Sequence, residues 1–218
     1  MNVLLLAIDT TSEAGSIALV DQEGIVEEVP LAAPEGFAHI LFPAIQHLLA
    51  RHTLALESLH GFASASGPGS FTGVRVGLTA VKGLAEATGR KVVAVSNLQA
   101  LASCGTRPLR AAVIDARRGE VYGAVYDSSL CAVRSEVVTR LLPWLASLPA
   151  GDLEFITQGV PAAAFGARGA VAEAPRVIAG AVGRIALQQF LSGNTQDAAE
   201  IDANYVRRSD AELLWKDG

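Results

Sequence analysis

The chain has 218 residues, of which 50% are hydrophobic, and its formal net charge at pH 7 is −5. This length allows one large domain or two small ones, each with a substantial core. The acidic balance argues against a protein that binds nucleic acid on its own. The high apolar content indicates that part of the surface is buried against a partner.

The N-terminal sequence MNVLLLAIDT lacks a basic region, and Asp9 interrupts its apolar run. We therefore expect a buried strand here and not a signal peptide. No stretch approaches the roughly 20 apolar residues of a membrane span. Cys104 and Cys131 form neither a disulfide framework nor a CxxC pair, which is typical of reduced thiols. These features predict a soluble, cytoplasmic protein.

The first half of the chain alternates short apolar runs with two amphipathic stretches. The apolar runs predict strands at 3–9, 15–20, 25–31, 62–66 and 91–95. Helical spacing predicts helices at 36–51 and 72–88, and a short one at 97–103. The order of elements is βββαβαβα.

The second half begins a similar order again after the break SCGTRP. We expect strands at 111–115, 121–126, 131–138 and 153–157, with helices at 140–148 and 182–191. Residues 7–21 align on residues 113–127 without a gap, with four identities in fifteen positions, including Asp9 with Asp115. Two tandem βββαβα units describe an α/β, two-lobed actin-like (ribonuclease H-like) fold with a shortened second lobe. We place the N-terminal lobe at 1–104, joined by the C-terminal segment 196–218, and the second lobe at 105–195.

The segment SASGPGSFTGVRVG, residues 64–77, precedes a predicted helix as a phosphate-binding loop does. A Walker A loop, GxxxxGK[ST], needs its lysine to neutralise phosphate charge. Counting from Gly67, the sixth residue is Thr72, and the next lysine is Lys82. The dinucleotide pattern GxGxxG fails at the same position. The spacing therefore does not predict a standard phosphate loop.

The two hairpin turns that follow the first strand of each half are the next candidates for a nucleotide site. Thr10, Thr11 and Ser12 carry hydroxyls that suit phosphate oxygens, but an ordinary turn capped by Asp9 explains them equally well. In the second turn, the bulky Arg117 and Arg118 stand where an actin-like ATPase normally has glycine. We therefore predict a degenerate cleft with no cofactor and no catalytic residue.

Four histidines, His39, His47, His52 and His60, all lie in the first half of the chain. His39 and His47 are eight residues apart on a predicted helix, about 12 Å along its axis, which is too far to share one ion. There is no HxxxH, HExxH or paired-carboxylate motif. We therefore predict no metal site.

The helix predicted at 72–88 is unusually rich in glycine. Each interior glycine costs about 1 kcal/mol relative to alanine, so a compensating close contact is expected. The small residues Gly73, Gly77 and Ala80 favour either internal packing against the sheet or a surface shared with another subunit. The sequence leaves both open.

Four segments resemble the TsaB (YeaZ) family: AIDTTSEAGSIAL, the run from SASGPGSFTG to SNLQALA, VIDARRGEVYGAVYD and ANYVRRSDAELLW. This resemblance implies an actin-like protein without catalysis. It would support the catalytic paralogue TsaD, with the ATPase TsaE, in transferring threonylcarbamoyl to the adenosine next to the anticodon of tRNA. TsaD carries a metal-binding HxxxH after the glycine loop, where this chain has SNLQALA.

The resemblance also implies that the two long helices of the first lobe join the protein to TsaD or to a second copy of itself. The implied interface residues are Phe37, Leu41, Ile45, Leu48, Gly73, Val76, Gly77 and Ala80. Transfer RNA would be reached only through the complex, and Arg117 and Arg118 are either tRNA contacts or exposed turn residues. The alternatives are an autonomous actin-like ATPase or kinase, and a protease.

Overall fold

The computed structural model of the chain describes residues 2–206, and these divide into two units. The first unit contains the residues up to Ala100 together with Pro175–Ala203. The second contains Leu101–Ala174 and residues 204–206. Residues 207–218, which include most of the segment ANYVRRSDAELLW, lie outside the described residues.

A five-stranded mixed sheet forms the centre of the first unit. Its strands are β1 (Leu5–Asp9), β2 (Ala14–Asp21), β3 (Gly24–Ala32), β4 (Gly61–Ala65) and β5 (Lys91–Val95). Their spatial order is β3-β2-β1-β4-β5, with the first three strands antiparallel and the last two parallel to β1. β1 is buried along its whole length, as its continuous apolar sequence predicts.

The helices α1 (Leu41–Arg51) and α2 (Phe71–Thr88) cover one face of this sheet with apolar side chains. The helix predicted at 36–51 is two pieces, because a short 3-10 turn, Phe37–His39, precedes α1. Pro43 lies in the first turn of α1, the part of a helix that tolerates a residue without an N–H. The short α3 (Asn97–Ala102) follows β5.

The helix α5 (Ala179–Leu191) also packs against the first sheet. A Cβ on Gly183 would lie 2.5 Å from Cγ2 of Val20 and 3.1 Å from Cβ of Ala7, so the helix lies directly on the strands. The sequence placed this helix in the second lobe, residues 105–195, and that boundary is corrected here. The buried residues of α5 lie on several sides of the helix, so the sequence pattern does not show which of the two sheets it packs against.

The segment after α5 continues along the first unit. The backbones of Gln196 and Val92 exchange two hydrogen bonds, so this segment covers the outer edge of β5. Nearby, Lys91 Nζ lies 2.6 Å from Oδ1 of Asp197. Residues 196–203 thus pack with the first unit, where the sequence placed the segment 196–218.

The second unit repeats the same strand order around its own sheet. The elements of this unit are β6 (Leu109–Asp115), β7 (Glu120–Asp127), β8 (Ala132–Arg140), α4 (Leu141–Ala146), β9 (Leu153–Gln158) and β10 (Ala170–Glu173). The spatial order of the strands is β10-β9-β6-β7-β8, with β6 antiparallel to β7 and parallel to β9. The sequence did not predict β10, a four-residue strand.

The two sheets confirm the predicted fold class, an actin-like α/β fold built from two similar halves. In each sheet, the first three strands in sequence form an antiparallel meander, and the next strand lies parallel to the first. The second half is shortened, since a 3-10 turn, Ala162–Phe165, stands between β9 and β10 in place of a helix. Among residues 2–206, no helix combines the length and apolarity needed to cross a membrane.

Candidate functional site

The glycine loop, residues 66–70, connects β4 to α2 and lies against the turn that follows β1. Ser70 is the N-cap of α2, and its Oγ accepts a hydrogen bond from the backbone N–H of Gly73 at 3.3 Å. The N–H of Ser70 in turn donates to the carbonyl of Thr11 at 2.7 Å. The loop is therefore held to the first hairpin turn at the point where the helix begins.

Glycine is required in this region because the hairpin turn approaches the backbone closely. A Cβ on Gly69 would lie 2.6 Å from the carbonyl oxygen of Thr11, and one on Gly77 would lie 2.7 Å from Oγ1 of Thr10. A Cβ on Gly73 would overlap the carbonyl oxygen of Thr10. Gly73 and Gly77 thus serve internal packing, the first of the two explanations that the sequence left open.

The three hydroxyls proposed for phosphate binding all make hydrogen bonds within the protein. Thr10 Oγ1 donates to the carbonyl of Gly73 at 2.7 Å, and Thr11 Oγ1 donates to Oδ1 of Asp9 at 2.6 Å. Ser12 Oγ lies 3.1 Å from the carbonyl of Ala14. Thr10 and Thr11 are only 1% and 3% exposed. An ordinary turn capped by Asp9 accounts for these contacts.

Asp9 is a buried carboxylate at the centre of this turn. Its Oδ1 also accepts the backbone N–H of Thr11 at 2.9 Å. Burial raises the pKa of Asp9, the hydrogen bonds from Thr11 oppose that shift, and the negative charge of Glu28 adds to it.

Asn97 is a site residue that the sequence reasoning did not single out. Its Nδ2 donates to Oγ1 of Thr11 at 2.5 Å, and its Oδ1 accepts the N–H of Gly67 at 2.9 Å. The N–H of Asn97 donates back to the carbonyl of Gly67 at 2.8 Å. An asparagine next to a strand end was the available signal, but its neighbours come from distant parts of the chain.

The N-terminus of α5 is occupied by side chains of the first sheet. The N–H of Gly180 donates to Oε1 of Glu28 at 3.0 Å, and the N–H of Ala179 donates to Oγ of Ser16 at 3.0 Å. Ser16 Oγ also donates to the same Glu28 oxygen at 2.9 Å. A helix N-terminus attracts anions, and here a carboxylate of the chain itself takes that position.

The second hairpin turn, between β6 and β7, repeats one contact of the first. The N–H of Arg117 donates to Oδ1 of Asp115 at 2.9 Å, just as Thr11 donates to Asp9. Arg117, Arg118 and Gly119 all adopt left-handed conformations, with φ of 63°, 56° and 76°. Both arginine side chains are exposed, as expected for turn residues.

The interface residues implied by the family resemblance lie mainly in the core of the first unit. Leu41, Ile45 and Leu48 are buried because the apolar stripe of α1 faces the sheet. Val76 is the one of the eight that is not buried. The other seven are buried within the first unit: Phe37, Leu41, Ile45, Leu48, Gly73, Gly77 and Ala80.

An apolar groove of about 450 Å³ lies between α1 and α2 on the outside of the first unit. Two large aromatic residues border it, Phe42, which is 48% exposed, and Phe71, which is 45% exposed. The guanidinium of Arg75 lies 3.8 Å from the centre of the Phe71 ring, a cation–π contact. The groove is lined by Ala38, Leu41, Phe42, Phe71, Thr72, Arg75, Val76, Thr79 and Ala80.

The histidines do not gather at any of these places. His52 Nε2 lies 2.7 Å from Oε2 of Glu27, and His60 Nδ1 accepts the N–H of Leu4 at 3.1 Å. Within residues 2–206, no cluster of three or more histidine, cysteine or acidic side chains has the geometry of a metal site. The residues that come together are therefore those of the buried turn and those of the groove.

Comparison with known proteins places these features in one family. The family model described as TsaD, tRNA N6-adenosine threonylcarbamoyltransferase, matches residues 15–139. The tRNA threonylcarbamoyladenosine biosynthesis protein TsaB of Bacillus subtilis is 34% identical over 153 residues, which span 68% of this chain and 67% of that protein. The Escherichia coli protein of the same name is 39% identical over 127 residues, 56% of this chain and 54% of that protein. The chain thus spans about half to two thirds of the length of the curated relatives it matches.

Structural similarity extends further than sequence similarity. The solved structure of YeaZ from Pseudomonas aeruginosa superposes with a TM-score of 0.78 at 28% sequence identity. The match covers 93% of this chain and 99% of that one. With its sequence relatives and its fold in agreement, this chain belongs to the TsaB (YeaZ) family.

Proposed function

We propose that this chain is a non-catalytic partner subunit in the biosynthesis of threonylcarbamoyladenosine on tRNA. It binds and activates a TsaD-like catalytic paralogue and acts together with a TsaE-like ATPase. The complex transfers threonylcarbamoyl to the adenosine next to the anticodon, and this chain meets tRNA only within the complex. The names of the Bacillus subtilis and Escherichia coli relatives support this assignment.

The main support for this proposal is the groove between α1 and α2. Two exposed phenylalanines on adjacent helices form an apolar surface that an isolated protein in water gains nothing by exposing. Aromatic residues and arginine are also the residue types that dominate binding energy at protein interfaces. This pair of adjacent helices carries both residue types, with Phe42 on α1 and with Phe71 and Arg75 on α2.

The buried turn supports the non-catalytic part of the proposal. The hydroxyls of Thr10 and Thr11 are committed to hydrogen bonds within the protein, and a carboxylate, Glu28, already holds the N-terminus of α5. A phosphate at either place would have to displace buried polar contacts that cost free energy to leave unmade. These observations favour a partner subunit over an autonomous ATPase or kinase.

A second copy of this chain is the other occupant that suits the groove. In the absence of the paralogue, self-association through α1 and α2 would cover the same phenylalanines. The two arrangements therefore compete for one surface, and an excess of paralogue should convert homodimer to heterodimer.

A charged residue in the groove tests the proposed interface. Val76→Glu places a carboxylate among apolar side chains at a position that is only half buried, so the chain should stay folded. We expect the dissociation constant for the TsaD-like paralogue to rise at least about 100-fold, since an unpaired charge is desolvated on binding. Titration calorimetry measures this change.

Ala87→Glu is the matched control, because Ala87 is exposed on the same helix outside the groove. It should change the affinity by less than about threefold. A folded Val76→Glu variant that binds like the wild type would contradict the interface. Leu41 and Gly77 are unsuitable for this test because both are buried in the fold.

The absence of catalysis is tested on the isolated chain. Calorimetric titration with ATP should give no saturable heat, and no ADP should form. Incubation with the TsaD-like paralogue should leave that protein uncleaved. Tight ATP binding with turnover would establish the autonomous enzyme instead, and specific cleavage of the paralogue would establish a protease.

A further inference from the structure

The turn after β1 is joined directly to the first two turns of α2. Thr10 is 1% exposed, and its Oγ1 donates to the carbonyl of Gly73 at 2.7 Å. The same oxygen lies against Gly77, where a Cβ would approach it to 2.7 Å. Thr10 therefore occupies the space that the two helix glycines leave open, and it is hydrogen-bonded within that space.

A second set of contacts holds the residues just before the helix. The carbonyl of Thr11 accepts the N–H of Ser70, the N-cap of α2. Thr11 Oγ1 also accepts a hydrogen bond from Asn97, whose amide group bonds to the backbone of Gly67. The loop and the start of the helix are thus fixed to one buried turn by the side chains of Thr11 and Asn97, each of which makes two hydrogen bonds.

The groove borders the same helical turns. At 100° per residue, Arg75 and Thr79 point away from the face that carries Gly73 and Gly77, whereas Val76 lies beside that face and Ala80 lies on it. Helix α2 transmits a shift from one face to the other, because a helical turn moves as a unit. The position of the groove residues is therefore set from behind by the contact at Thr10.

We propose that Thr10 is a positioning residue for partner binding, and that its hydrogen bond to Gly73 sets the start of α2 and the shape of the groove. This inference rests on the proposed function, since it concerns the surface to which the paralogue binds. The buried turn after β1 thereby has a role in assembly of the complex with the paralogue. Thr10 acts through α2 and does not touch the partner.

The test removes the hydrogen bond without removing the side-chain volume. Thr10→Val is nearly isosteric but cannot donate, and Thr10→Ser keeps the donor. We expect Thr10→Val to weaken binding of the TsaD-like paralogue about tenfold and Thr10→Ser to retain affinity within about threefold. Faster hydrogen exchange at the amides of residues 73–77 should accompany the loss in Thr10→Val only.

Thr157→Val controls for general loss of stability. Thr157 is also buried, and its Oγ1 donates to the carbonyl of Val160 at 2.9 Å in the second unit. This variant removes the same kind of bond away from the groove and should bind the paralogue like the wild type. Equal affinities for Thr10→Val and the wild type, or equal losses for Thr10→Val and Thr157→Val, would overturn the proposal.

A further variant covers the case in which Thr10→Val does not fold. Thr10→Ala removes the hydroxyl without placing a second methyl group where the hydroxyl was, and it should weaken binding by about the same factor. Normal binding by Thr10→Ala would overturn the proposal in that case. Failure of the proposed function is distinguishable, because the wild type itself would then not bind the paralogue.

Discussion

The two hairpin turns of the molecule begin in the same way and differ in what surrounds them. In both, an aspartate at the end of a strand accepts the backbone N–H of the residue two positions later, as in Asp9 with Thr11 and Asp115 with Arg117. Asp9 is 1% exposed, whereas Asp115 is exposed. A local turn is thus encoded by a few residues, but its burial depends on distant ones.

Glycines on α2 and in the loop just before it account for the burial of the first turn. Gly69, Gly73 and Gly77 leave room for the backbone and side chain of the turn residues, and the helix closes over them. The second turn instead uses three consecutive left-handed residues, two of them arginines, and carries its side chains into solvent. The first turn is therefore part of the core, whereas the second lies on the surface.

The largest effect is expected from filling the space behind the first turn. In Gly73→Ala the new Cβ overlaps the carbonyl oxygen of Thr10, so the turn or the helix must shift. We expect the free energy of unfolding to fall by about 3 kcal/mol. Urea denaturation measures the change.

Gly83→Ala is the control on the same helix. Apart from the neighbouring residues and backbone of the helix itself, no heavy atom lies within 4 Å of a Cβ at Gly83, so alanine should stabilise the chain by about 1 kcal/mol through helix propensity alone. Equal effects of Gly73→Ala and Gly83→Ala would show that the close approach to Thr10 is unimportant.

A smaller difference is expected between the two aspartates. Asp9→Ala leaves the N–H and hydroxyl of Thr11 buried without their acceptor, which should cost about 2–3 kcal/mol. Asp115→Ala exposes the N–H of Arg117 to water and should cost less than about 1 kcal/mol. Unfolding midpoints of the two variants give the comparison, and an equal loss at both positions would contradict it.

The pH dependence of stability sharpens this contrast further. Burial raises the pKa of Asp9 above its ordinary value of 3.8, so the folded state binds this proton more tightly than the unfolded state does. The resulting stabilisation is complete below pH 3.8 and is lost as the pH rises through the raised pKa. The stability of the wild type relative to Asp9→Asn should therefore decrease with rising pH, by at most about 1.4 kcal/mol per pH unit.

This prediction is checked by urea denaturation of both proteins between pH 3.5 and about 7. Titrating groups that do not interact with Asp9 cancel in the difference between the two proteins. A difference that stays constant, or that increases with pH, would contradict a raised pKa at Asp9.

Much of the fold was predictable because strand and helix periodicities are local. The strand predicted at 91–95 matches β5, and the other strands of the first half agree within two residues. Helix α5 could be predicted as an element, but its sheet could not, because small residues such as Gly183 suit either sheet equally.

The candidate site was less predictable than the fold. The helices α1 and α2 were identified correctly as long elements of the first half, but the apolar stripe of Leu41, Ile45 and Leu48 packs on the sheet. Phe42 lies on α1 outside that stripe and borders the groove, and Phe71 borders the groove from α2. A single sequence does not distinguish an apolar residue that faces the core from an apolar surface residue that contacts another protein.

Hydrogen–deuterium exchange of the chain with and without the TsaD-like paralogue shows whether the groove between α1 and α2 binds that paralogue. Binding should slow exchange in residues 37–46 and 71–80 and leave the amides of β6 to β8 unchanged. Protection confined to the second unit, with unchanged exchange in α1 and α2, would contradict it.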